Sequence, residues 1–133
     1  MKQTLHWSES MSVGNHTIDR QHAKLIELGN AASRLLEEND SDVDQTHIVL
    51  NDIAEALREH YATEERVLAN NACPFLKQHV EEHASYHKRM TFILIQANAE
   101  KLDRKALLTL IREATTTHVL GMDMRCKDYM KED

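Results

Sequence analysis

The chain has 133 residues, 41% of them hydrophobic and 29% charged, with a formal net charge of −6. That is enough for one ordered domain with its own core, and too acidic a balance for nucleic acid or an anionic membrane as main partner. No apolar run approaches the roughly 20 residues of a membrane helix, and the opening MKQTLHWSES lacks the apolar core of a signal peptide.

Cys73 and Cys126 make neither a disulfide framework nor a zinc-type pair, so a reduced, cytoplasmic setting with inert thiols is expected. Residues 1–17 show no sustained periodicity. Trp7, Met11 and Val13 are expected in an irregular arm packed on the rest, ending at the Gly14-Asn15 turn signal. A 3.6-residue period then predicts a helix over about 18–38, with Ile18, His22, Leu25, Ile26, Gly29, Ala32, Leu35 and Leu36 inward. The polar NDSDVD (39–44) breaks it.

A second helix is predicted over 44–70, with Ile48, Val49, Ile53, Ala56, Leu57, His60, Glu64, Val67 and Leu68 inward. A third is predicted over 74–99, with Pro74 in its first turn and Leu76, His79, Val80, His83, Tyr86, Met90, Ile93, Leu94 and Ala97 inward. After a short turn at 100–103, a fourth starts from the N-cap Asp103 and reaches at least residue 120, burying Leu107, Leu108, Ile111, Ala114, His118 and Met122. The expected fold is all-α, an antiparallel up-down-up-down four-helix bundle, as a single domain over 1–133 with an N-terminal arm of about 1–17.

Histidines and a carboxylate interrupt the apolar stripes. His60 and Glu64 are four apart, as are His79, His83 and His87, and that spacing shares a helix face. Buried together, such groups are destabilising unless they satisfy one another or a cation, and a pair of metal ions in a bundle core would do so. About a turn near residue 72, His60 falls level with His83 and Glu64 with His79, while the pair His83 and His87 sits about one turn too far along.

Five imidazoles supply terminal ligands, and Glu64 and Asp123 can each bridge. With a bridging oxide or hydroxide and the histidines divided three and two, one metal reaches six ligands and the other five, leaving an open position. Nitrogen and oxygen ligation suits iron, manganese or zinc. Asp123 lies five residues after His118, about 140° off its face in a regular helix. A local widening near Gly121, a π-bulge, is therefore expected.

The segments VGNHTIDRQH (13–22), HYATEE (60–65), CPFLKQHVEEH (73–83) and HVLGMD (118–123) resemble the hemerythrin family, particularly its single-domain bacterial members, over nearly the whole chain. The resemblance implies two iron ions (Fe2+/Fe3+) bridged by oxide or hydroxide. His79, His83 and His118 would hold the saturated iron, His22 and His60 the iron with the open position, and Glu64 and Asp123 would bridge. It implies reversible binding of dioxygen for carriage, storage or sensing, with Leu25, Tyr61 and Val119 lining the ligand pocket. Tyr61 stands where the family more often has Phe, and Cys73 where Tyr is usual before the turn Pro.

His87 is read as a bystander, His6, His16 and His47 as solvated, Glu65, Glu81 and Glu82 as solvated helix charges, and the Met residues as core filler. An enzyme acting on peroxide or nitric oxide is the alternative, ranked below binding because neither a general acid/base pair nor a substrate cleft is evident. A signalling role would need an unidentified protein partner to read it out.

Overall fold

The computed structural model describes residues 5–37, 43–98 and 103–131. Four helices carry the fold: α1 (His16–Glu37), α2 (Val43–Asn70), α3 (Leu76–Asn98) and α4 (Arg104–Arg112), the last continuing through π-helical turns at Glu113–Thr117 and Val119–Asp123. Each of α1–α3 packs on the next, α3 meets α4, and α1 meets α4 to close the ring.

Two apolar clusters reveal the alternation of direction. One gathers Val13, Ile18, Leu68, Cys73, Cys126 and Met130. The larger gathers, among others, Leu25, Leu57, Tyr61, Tyr86, Met90, Leu107 and Ala114. Going up the sequence, α1 and α3 run from the first cluster toward the second, while α2 and α4 run the opposite way. This is the antiparallel bundle that the periodicity predicted.

Local chemistry fixes the helix ends. Gly14 takes φ 76°, which turns the arm into α1. Asn15 then accepts the Ile18 N–H at 3.1 Å and donates to the Met130 carbonyl at 3.0 Å, so α1 starts at His16. At the other end of α2, Cys73 N–H bonds the Leu68 carbonyl (2.9 Å) and Ala72 N–H the Ala69 carbonyl (3.2 Å), a Schellman cap with Ala72 at φ 54°. Pro74 and Phe75 extend that turn, so α3 begins at Leu76 rather than at Pro74.

Some stripe positions depart from expectation. Ile48 is 60% exposed and Val80 40% exposed, because burial on α2 follows Thr46, Leu50, Ile53 and Leu57, and on α3 follows His79, His83, Tyr86 and Met90. The expected break at 39–44 and turn at 100–103, and the side chains of Leu94 and Ala97, lie largely outside the described residues. Met11 and Val13 are buried and Trp7 half-buried, so the arm packs as expected. No described helix is long and apolar enough to cross a membrane.

Candidate metal centre

Between the two apolar clusters lies a polar layer. His22, His60, Glu64, His79, His83, His118 and Asp123 are each 2% exposed or less. Glu64 Oε1 lies 3.0, 3.2 and 3.5 Å from Nε2 of His79, His83 and His118, and Asp123 Oδ1 lies 2.9 Å from His79 and His118. The other two oxygens face the other way. Glu64 Oε2 is 2.8 Å from His60 Nε2, and Asp123 Oδ2 is 2.9 Å from His22 Nε2. Each carboxylate thus divides its oxygens between a three-histidine set and a two-histidine set.

Asp123 reaches this layer because α4 widens. The His118 N–H bonds the Glu113 carbonyl, five residues back, and a second π-turn carries the chain from Val119 to Asp123. The expected widening is there, but Gly121 is not its steric cause, since a Cβ on it would meet nothing within 4 Å. Thr115 holds the first π-turn, donating to the Ile111 carbonyl at 2.7 Å. Gly29 lets α1 approach this point so closely that a Cβ there would sit 2.6 Å from Thr115 Oγ1.

Outer partners settle the orientation of the rings. His83 Nδ1 donates to Glu65 and His118 Nδ1 to Glu82, each at 2.8 Å, since a carboxylate can only accept. Thr63 spends its proton on the Glu59 carbonyl, so it must accept from the Gln21 amide, leaving Gln21 Oε1 to accept from His60 Nδ1 at 3.0 Å. In their neutral forms these three rings therefore turn Nε2 lone pairs inward, toward carboxylate oxygens that also carry lone pairs.

That arrangement is repulsive unless something positive sits among the atoms. Burial opposes a charged imidazole, yet Glu64 and Asp123 more than offset it, pushing His60 and His79 up to about 9 and His118 to about 11, and raising His22. Burial likewise raises both carboxyls, but the surrounding histidines hold Glu64 and Asp123 well below the usual carboxylate range. Without metal, protons would occupy the places of cations. Donors about 2.1 Å from one ion in an octahedron lie about 3 Å apart, and the spacings within each set are of that size. The two sets, Glu64 with His79, His83 and His118, and His22 with His60, Glu64 and Asp123, could each hold a metal ion.

The Hemerythrin HHE cation binding domain family matches residues 13–127. The chain belongs to the hemerythrin family. A bacteriohemerythrin of Stenotrophomonas maltophilia (strain R551-3) is 23% identical over 127 residues, covering 94% of this chain and 80% of the relative.

In this hemerythrin domain the outer partners are what the sequence reading missed. Glu65 and Glu82, read as solvated charges, are about one-third exposed and bound to inward histidines. Glu82 also accepts from Tyr86 through the same oxygen, at 2.8 Å. Cys126 lies 3.7 Å from His79 Nδ1, and burial pushes its thiol up to about 12. A metal-bound histidine needs an acceptor on its far nitrogen, which says that such partners exist but not which residues supply them.

Of the expected pocket residues, Leu25 and Tyr61 share the larger apolar cluster, and Val119 is fully buried beside His118. Tyr61 stacks on His83 with ring centroids 4.0 Å apart, and its hydroxyl has no partner among the described residues. A groove of about 320 Å³ between α2 and α3 runs past Leu57, Tyr61, His83 and Met90. His87 lines it from outside the polar layer and is exposed, as a bystander would be. His6 and His16 are also exposed, but His47 is half-buried.

Proposed function

We propose that the chain binds dioxygen reversibly at a non-haem diiron centre, as a carrier, store or sensor rather than as an enzyme. His79, His83 and His118 would hold one iron and His22 and His60 the other, with Glu64, Asp123 and an oxide or hydroxide between them. The observation that carries this reading is the division of both carboxylates' oxygens between the two histidine sets. When bound, two irons supply the two electrons that dioxygen accepts.

The residues of the chain supply the rest. Three neutral-amide or carboxylate acceptors fix His60, His83 and His118 with Nε2 inward. Leu25, Tyr61 and Val119 keep the neighbourhood apolar, which excludes water and external reductants. Five neutral imidazoles against two carboxylates donate little negative charge, which disfavours high-valent iron and favours an intact O–O bond.

Anaerobic loading with Fe2+, a metal count and an optical titration with dioxygen test the reading. Two irons per chain and a spectrum that appears with dioxygen and disappears on its removal are expected. Rapid irreversible oxidation with no such spectrum would overturn it. One observation favours a second reading, a peroxide- or nitric-oxide-processing enzyme: the Tyr61 hydroxyl, without a partner among the described residues, belongs to a ring stacked on His83 and could donate a proton and an electron there. It requires steady turnover of either substrate that His60→Ala abolishes.

A further inference from the structure

The two halves of the centre differ in what stands behind their histidines. On the three-histidine side, His83 and His118 each donate to a carboxylate, Glu65 and Glu82, and His79 faces the Cys126 thiol. On the two-histidine side, His60 donates to the neutral Gln21 amide, and His22 Nδ1 has no partner among the described residues. Behind the histidines of one half stand two carboxylates, and among the described residues none accepts from the histidines of the other.

We propose that Glu65 and Glu82 are positioning residues that make the three-histidine half the tighter site, so that the two metals load in a fixed order. This rests on the metal-binding reading above and adds to it an asymmetry written outside the ligands. A carboxylate that accepts from an imidazole N–H makes a charge-assisted bond, fixes the tautomer and raises the basicity of the opposite nitrogen. An amide fixes the tautomer without adding charge. Glu82 is itself oriented by the Tyr86 hydroxyl on the same oxygen, so the His118 ring is held from two directions. Glu65 spans from α2 to the His83 ring on α3 and so couples a ligand of one helix to the backbone of another.

The test uses the full metal-free chain titrated with Co2+ alone, read by calorimetry and by the d–d absorption of the bound ion. Wild type is expected to bind two ions in resolved steps, the first at least about 10-fold tighter. Glu65→Gln and Glu82→Gln keep an acceptor of the same shape but remove the charge. Each should weaken the first step by about 10- to 100-fold and leave the second nearly unchanged. Gln21→Glu should tighten the second step. Glu81→Gln, on the exposed face of α3, is the control and should move neither.

A merely structural role for Glu65 or Glu82 would weaken both steps together. Two ions bound with equal affinity, or a uniform loss in both variants, overturn the loading order while leaving metal binding intact. Failure of wild type to bind Co2+ at all overturns both.

Discussion

His83 and His118 point their Nε2 atoms at each other across 3.2 Å while their Nδ1 atoms donate to Glu65 and Glu82. In neutral rings those are two lone pairs face to face, and neither ring can turn without giving up its bond to a carboxylate. His118→Ala or His83→Ala should cut bound metal from two ions to one or fewer per chain. It should also remove most of the metal-induced rise in Tm, a gain of about 4 kcal/mol in wild type at metal 1,000-fold above Kd. Atomic absorption on the purified variants, with a melt, checks this. Two ions retained would show that the facing pair is dispensable.

The metal-free domain should grow less stable in alkali. Its histidines carry raised values, about 9 for His60 and His79 and about 11 for His118. A group whose folded value is raised contributes fully below its unfolded value, about 6.5, and loses that contribution as pH rises through the folded one. Stability of the metal-free protein should therefore fall between about pH 7 and 11, by more than about 2 kcal/mol. The metal-loaded protein should hold level there and lose its metal in acid instead, as protons displace it. Urea titrations of both forms across that range provide the measurement.

How far the sequence displayed all this differs by residue. Six of the seven polar layer residues were legible because each stands on an apolar stripe where burial makes an unpaired polar group costly. Register about the turn, together with the family resemblance, set His79 and His83 apart from His87. Asp123 looked misplaced by about 140°, and that mismatch announced the π-turns. Glu65 and Glu82 were not legible. A charged residue one step off the buried face looks the same whether it meets water or a histidine N–H, and only the ring positions decide. Ile48 failed for a related reason, since an apolar residue near a helix start gives no hint of which side its neighbours will cover.

Ala72 holds φ 54°, a conformation that costs an L-residue with a Cβ roughly 1 kcal/mol and glycine almost nothing. Ala72→Gly should stabilise the domain by up to about 1 kcal/mol, offset in part by the freer unfolded chain. Chemical denaturation gives the value, and a loss of stability would mean that the Schellman turn is not strained.

Gly29→Ala should cost about 1–3 kcal/mol, because the new methyl meets Thr115 Oγ1 at 2.6 Å and that hydroxyl is tied to the Ile111 carbonyl. The double variant Gly29→Ala/Thr115→Ala should recover much of the loss. A double-mutant cycle with additive effects would refute the contact.

Tyr61→Phe removes a buried hydroxyl that has no partner among the described residues. Stability should hold or rise by up to about 1 kcal/mol, and metal content should stay at the wild-type level. If the phenol donates to a bound ligand, the proposed dioxygen complex should decay faster. If it does not, the decay rate should be unchanged, which would assign Tyr61 to packing on His83.

The polar layer also divides the interior into two apolar compartments that share no side chain among the described residues. Without a cation, the smaller one, around Cys73, Cys126 and Met130, is joined to the larger by the four helix backbones and by imidazolium–carboxylate pairs. Such a domain should open in two stages, the smaller end exchanging its amide protons well before the rest. Metal, bound by residues from all four helices, would weld the compartments into one cooperative unit. The ions would then govern how the domain unfolds as much as what it binds.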